Sequence, residues 1–563
     1  MKFKKLVLVV FLLTLVLVSF GLEVSAACTT IICGKDASVD GSTLTTHTAD
    51  GGLCDGRLIY VPAKDHKSGE MRPVFLFKEE YPRIVSEERS PYYAPVKGQE
   101  PSIVGYIPEV EHTYSYFDGV YGIMNEHQLA MGESTCGSKT SANPKPEGEA
   151  LFDVAAISRV AMERCVTARE AIKLMGSLAV EYGYYGWGET MTVIDPKEAW
   201  VFHIIATPDG KSAIWVAQRV PDDEVAVVAN EFTIREIDLD DPDYFMASSN
   251  IFDIAKAEGW WNPAEGPFDF TAVYSPGEYS HPYYSLRRKW RAFDLLAPSK
   301  EFSPWVKDGL TKDYPFSIKP DEKITIEKLF TIERDAYQGT EFDLTKGIAA
   351  GPFGTPNRYS GGKGEGLVKG AWERSIAIFR CDYTFVLQAR SWLPDAIGGV
   401  TWFGPDVAQT VCHVPFYAGV TDLPKPYYTG SRQAFTRDSA WWAFNFVANW
   451  ADLRYSSMIK DISEVQERIE TKEFAMQPAI DQAAKVLYEK NPDLAREYIT
   501  DYCINNGNAV VTEWWKLADH LVTKYIDGYD NIPEVGKGLG YPAEWLKEVG
   551  YDKGPLTYEK PLK

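Results

Sequence analysis

The stretch CTTIICGKDASVDGSTLTTHTADGG, residues 28–52, constrains the fold more than any other part of the chain. Residues 28–33 are short, apolar and β-branched, which suits a buried strand. Asp40-Gly41 is a strong tight-turn signal. Residues 43–48 are again β-branched. The pattern predicts a hairpin whose first residue is Cys28 and whose return strand brings His47 and Asp50 back beside it.

What precedes Cys28 gives this hairpin its meaning. Lys2, Lys4 and Lys5 form a positive start, an apolar run spans 6–20, and Ser25 and Ala27 occupy the −3 and −1 positions of a cut before Cys28. This is the layout of a cleaved export signal, residues 1–27. The apolar run of about fifteen residues is short of the roughly 20 needed to span a bilayer. The expected location is therefore secreted or in the cell envelope. A lipid on Cys28 is the competing reading, weakened because Ser25 stands where lipoprotein signals usually carry a large aliphatic residue.

Cleavage there would give Cys28 a free α-amine beside its thiol. An α-amine has a pKa of about 7.7–8.0, so it can take the thiol proton near neutral pH without a separate histidine base. Asp50 would orient the resulting ammonium; as a bare sequence feature it also fits a turn residue before Gly51-Gly52. The remaining cysteines, at 33, 54, 136, 165, 381, 412 and 503, show neither a Cys-x-x-Cys pair nor zinc spacing. No HExxH or calcium-loop pattern occurs, and GGKGEG (361–366) is not followed by the Lys-Ser/Thr of a phosphate loop. The sequence thus predicts no cofactor and no metal-dependent catalysis. A net charge of −21 disfavours nucleic acid; the expected partners are small peptides.

Beyond the hairpin, residues 53–115 read as loops and short strands. Strands are expected at 121–131, 189–205, 213–220, 224–229, 375–389 and 401–415. Helices are expected at 151–181, with a break near Thr167, and at 282–296, which is basic and amphipathic. From residue 440 helical spacing prevails, over 440–461, 463–491 and 495–526, and the tail from Pro533 reads as irregular. This is an α+β layout: a body at 28–430 and a helical extension at 431–563.

The opening CTT…DGST…D resembles the cysteine dipeptidases of the N-terminal-nucleophile (Ntn) hydrolases, relatives of penicillin V acylase and bile salt hydrolase. GIMNEHQLAMGESTC (122–136), EAWVFHI (198–204), AQRVPDDEVAVVANEFTI (217–234), FDLTKGIAAGPFGTPNR (342–358) and SWLPDAIGGVTW (391–402) resemble stretches of that family in the same order; 437–455 is the clearest match in the last 130 residues. The resemblance implies a four-layer αββα sandwich and hydrolysis of small peptides through an acyl-enzyme on Cys28. It assigns Asp50 as the acidic partner and Asn230 as an oxyanion donor. A second donor would lie near Ser134 and Thr135, and Arg287, with Arg288 as a close rival, would be the arginine near the nucleophile. Many relatives carry arginine where this chain has His47, a departure that leaves His47 to position the amine or a substrate carboxylate. Each has a plainer reading, Asn230 as a turn residue and Arg287 as a solvated helix face. His127 and His203 read as satisfied histidines. Two other functions stay open: an acylase of N-acyl amides, and a non-catalytic lipid-anchored binding protein.

Overall fold

The computed structural model describes residues 27–51, 55–77, 89–93, 102–359, 361 and 366–554. Apart from Ala27, the leader lies outside the described residues, as does Cys54. The fold is α+β, with two large antiparallel sheets.

The hairpin forms as expected. Strand β1 (Thr30–Cys33) and strand β2 (Thr43–Thr48) pair antiparallel, Ile32 opposite Thr45. Asp40 fixes the turn by accepting from the Ser42 amide at 3.0 Å and the Ser42 hydroxyl at 2.6 Å, and Gly41 takes φ 86°. The two strands occupy the middle of a seven-stranded sheet, in the order Ser317–Ile318, Val225–Val228, β1, β2, Tyr383–Ala389, Val400–Pro405, Val414–Tyr417. Every residue of β1 and β2 is buried, so the hairpin lies inside the molecule.

The second sheet has eight strands, in the order Phe245–Ala247, Ala213–Arg219, Ala199–Ala206, Gly188–Ile194, Ala130–Cys136, Gly122–Asn125, Tyr116–Asp118, Ile59–Val61. It packs against β1 and β2 through Ala130–Cys136 and Gly188–Ile194. Contact there is close and partly polar: Thr45 and Thr192 hydroxyls are 2.7 Å apart. A Cβ on Gly132 would lie 2.5 Å from the Thr46 carbonyl oxygen, so the bare glycine lets the sheets approach where Glu133 and Ser134 must reach the hairpin.

Helices Val154–Arg164 and Ala168–Tyr182 pack on the eight-stranded sheet. The break expected near Thr167 is a capping box: Thr167 accepts from the Glu170 amide, and the Glu170 carboxylate returns to the Thr167 amide. The helices Leu286–Leu296, Ile326–Glu333, Ala440–Ala451 and Pro492–Tyr525 pack on the seven-stranded sheet.

Some expected boundaries shift. The helix expected from 282 begins at Leu286, because Tyr283 takes φ 69°. Its basic residues are not a solvated face: Arg287, Arg288, Lys289 and Arg291 are all buried. The break expected at 461–463 lies instead at 452–454, and Tyr455–Lys490 runs unbroken through Pro478. Asp452 leaves the helix to accept from Thr355 and Asn357 at 2.9 and 2.7 Å. Of 375–389 only Tyr383–Ala389 is strand. The tail from Pro533 is not wholly irregular: it contains the strand Lys537–Gly538, paired with Tyr529–Asp530, and the helix Ala543–Glu548.

The last long helices are tied to both sheets. Glu470 pairs with Arg334 at 2.5 Å and Asp481 with Arg390 at 2.5 Å, while Arg496 reaches Glu126 at 2.7 Å. No helix among the described residues is long and apolar enough to cross a membrane.

Candidate active site

Cys28 lies two residues before β1, where the sequence pattern expected it to open the strand; it is 1% exposed, and three elements converge on it. Its carbonyl oxygen accepts from Ser134 Oγ, on the facing sheet, at 3.3 Å and from Arg288 Nη1 at 3.0 Å. Burial, then the negative charges of Glu133 and Asp50, push the thiol well above its ordinary range, against a hydrogen bond from the Asp50 backbone. A thiol in this setting stays protonated until a base removes its proton.

Asp50 follows the end of β2 and is fully buried. Its Oδ2 accepts from the Thr48 hydroxyl at 2.9 Å and from Arg374 Nη2 at 2.5 Å, while Oδ1 has no hydrogen-bond partner. The same Arg374 nitrogen also donates to the carbonyl oxygen of Ala27, the carbonyl of the bond to Cys28. Arg380 donates to the Asp50 carbonyl oxygen. Burial opposes the Arg374 charge, yet Asp50 and Tyr284 outweigh it and hold that guanidinium above its ordinary range. The Tyr284 phenol is lowered: burial would raise it, but Arg374, Arg288 and Arg380 surround it.

Asn230 lies beyond strand Val225–Val228, at φ 64°, a conformation asparagine tolerates better than most residues. Its amide orientation follows from its partners: Oδ1 accepts from Arg288 Nη2 at 2.6 Å, and Nδ2 donates to the Thr135 carbonyl at 2.6 Å. One hydrogen on Nδ2 is thus used and the other remains. The Asn230 backbone N–H donates to Ser134 Oγ at 3.0 Å, so Ser134 links Asn230 to Cys28.

The structure therefore brings Cys28, Asp50, Asn230, Ser134 and Thr135 into one cluster. Arg287 does not join it. Successive helical residues differ by about 100° in direction, and Arg287 faces elsewhere. Its guanidinium lies over the rings of Phe342 and Tyr283, 3.7 and 4.3 Å from their centroids, and 3.3 Å from Glu373. The arginine beside Cys28 is Arg288, its alternative; burial and the neighbouring Arg374 cation lower its pKa to about 10.

His47 is buried against Tyr121, Tyr383 and Phe385, and its Nδ1 lies 2.8 Å from the Glu133 carbonyl oxygen. Burial holds its pKa below the usual imidazole value despite Glu133 and Asp50. Sequence reasoning missed Glu133, Arg374 and Arg380. Glu133 sits inside a segment whose resemblance drew attention to its neighbours Ser134 and Thr135. Arg374 is 324 residues from Asp50, so no local spacing could announce it. His203 is satisfied, with Thr190 Oγ1 2.8 Å from Nδ1 and the Thr233 amide 3.0 Å from Nε2. His127 Nδ1 lies 3.1 Å from Asp395. All seven described cysteines are free thiols.

Comparison with known proteins gives a consistent match. The model of peptidase family C69 matches residues 27–468. A "Probable dipeptidase" of Latilactobacillus sakei is 25% identical over 84% of this chain and 92% of its own length. "Dipeptidase A" of Lactobacillus helveticus is 25% identical over 91% of this chain and 97% of its own. A "Dipeptidase" of Bifidobacterium longum is 25% identical over 78% and 80%.

Proposed function

The chain belongs to peptidase family C69, and from that premise we propose that it is an exported dipeptidase whose nucleophile is the thiol of Cys28, freed as a new N-terminus. The reading is supported most by one observation: Cys28 is buried just before a central strand with Asp50 and the Asn230–Ser134 pair gathered around it. A lipid-bearing cysteine would need the surface, which argues against the tether reading.

In this proposal the leader, residues 1–27, is removed, and 28–430 form an Ntn-type catalytic body with a helical extension at 431–563. The two facing sheets with helices packed on each support that reading. With Ala27 attached, the Cys28 nitrogen is an amide and cannot serve as a base. Once Ala27 leaves, the α-amine takes the thiol proton, and Asp50, steadied by Arg374, holds the ammonium through its unpartnered Oδ1. The thiolate attacks the peptide carbonyl, and the amine returns the proton to the leaving amine. The resulting thioester is hydrolysed by water. The tetrahedral oxyanion falls to the second hydrogen of Asn230 Nδ2 and to a donor near Ser134–Thr135.

The test is a panel of dipeptides incubated with the chain beginning at Cys28, beside Cys28→Ser, Cys28→Ala and the chain retaining Ala27. The N-terminus of each is confirmed by mass. Dipeptide cleavage by the first alone is expected; equal turnover by the Ala27 form would overturn the role of the amine. Preferential cleavage of N-acyl amides would favour the acylase reading.

A further inference from the structure

Three buried groups beside the nucleophile have donor atoms within 4.8 Å of one another: the Cys28 thiol, a His47 ring nitrogen and a Glu133 carboxylate oxygen. Two are left with unmet valence. His47 Nδ1 lies 2.8 Å from the Glu133 carbonyl oxygen and 3.3 Å from the Glu133 amide nitrogen; the shorter contact is the one a hydrogen on Nδ1 makes, and that tautomer leaves the lone pair on Nε2, which is buried and has no partner. The Glu133 carboxylate takes the Thr135 hydroxyl on Oε1 at 3.0 Å and faces the Cys28 thiol, and its buried Oε2 has no further partner. An imidazole that gives one N–H to a carbonyl and directs its other nitrogen into a site is the usual posture of a metal-binding histidine.

We propose that Cys28, His47 and Glu133 form a zinc-class cation site that blocks the nucleophile reversibly. Thiolate, imidazole and carboxylate together suit a borderline-soft tetrahedral ion such as Zn2+. Bond lengths of about 2.0–2.3 Å set ligand separations of roughly 3.5 Å, within reach of small side-chain rotations from the observed spacing. The Cys28 thiol gives its proton to solvent as the sulfur–metal bond forms; His47 and Glu133 each supply a lone pair, and no electron changes hands. In the chain that begins at Cys28, the α-amine is the fourth ligand and closes a five-membered ring with the sulfur. With Ala27 attached, that nitrogen is an amide and water must take its place.

Binding follows from the placement of the three groups; only the inhibition rests on the dipeptidase reading. The experiment titrates metal-free protein with Co2+, as the chain beginning at Cys28 and as the chain retaining Ala27, and then displaces it with Zn2+. One equivalent should give a thiolate-to-cobalt charge-transfer band with four-coordinate ligand-field bands, and the Ala27 form should bind at least about tenfold more weakly, for loss of the chelate. Cys28→Ala should abolish the band, and His47→Gln and Glu133→Gln should each weaken binding about tenfold or more, with circular dichroism confirming folding. Absence of the band at one equivalent, or its survival in Cys28→Ala, overturns the site. If either glutamine variant fails to fold, the other decides. A band in protein that cleaves no dipeptide would sink the dipeptidase reading alone; cleavage insensitive to Zn2+, with no band, would sink the site alone.

Discussion

Arg374 grips Asp50 at 2.5 Å across 324 residues of sequence, with the Asp50 side chain fully buried. Removing one member of a buried ion pair costs about 3–5 kcal/mol because the other charge is stranded. Arg374→Ala should therefore lower stability by about that much, and adding Asp50→Asn should recover part of it. Urea unfolding of the four members of the cycle checks this; strictly additive losses would show that the two do not act as a pair.

Asn230 carries two roles, a left-handed backbone and a side-chain amide. Asn230→Gly keeps the first and deletes the second. Both Asn230→Gly and Asn230→Ala should lose about 10²–10³ in kcat/KM for a dipeptide. Near-normal activity in the glycine variant would move the oxyanion donor elsewhere.

Gly132 keeps the two sheets close, with the Thr46 carbonyl 2.5 Å and Thr192 Oγ1 2.7 Å from where a Cβ would stand. Gly132→Ala should cost about 1–3 kcal/mol by overpacking, read as a fall in Tm. An unchanged Tm would mean the sheets can part there freely.

Asp406 is buried, takes φ 76°, accepts from Asn445 Nδ2 at 3.1 Å on Oδ1 and leaves Oδ2 unpartnered. Burial raises its pKa from the ordinary carboxylate value to about 7. A carboxyl raised by folding favours the fold below its unfolded pKa, and that contribution fades as pH climbs from about 4 to about 7. Asp406→Asn removes the titration. Its stability relative to the parent should improve by about 1 kcal/mol or more between pH 4 and pH 8. Parallel denaturation curves at the two pH values check the sign.

The hairpin was legible because every step of it is local: β-branched runs, an Asp-Gly turn and Asp50 a fixed distance along the return strand. Asn230 and Ser134 were legible through segments that resemble a family. Arg374 and Glu133 were not, since their importance comes from tertiary contact with groups far away in the chain. The choice between Arg287 and Arg288 turned on which way a helix is rotated. Four basic residues within five positions blur the amphipathic pattern that would have told, and burial of all four reverses the usual expectation for such a run.

The carboxylates that neutralise Arg334 and Arg390 arrive late: Glu470 and Asp481 lie on the penultimate long helix. Synthesis runs from the N-terminus, so a nascent chain holding both large sheets still lacks the anions that two of its arginines pair with. Until those turns of helix are made, closing the outer face over Arg390 would strand a cation, at about 3–5 kcal/mol. An isolated 28–430 segment should therefore hold its outer face over Arg390 less firmly than a chain that carries this helix.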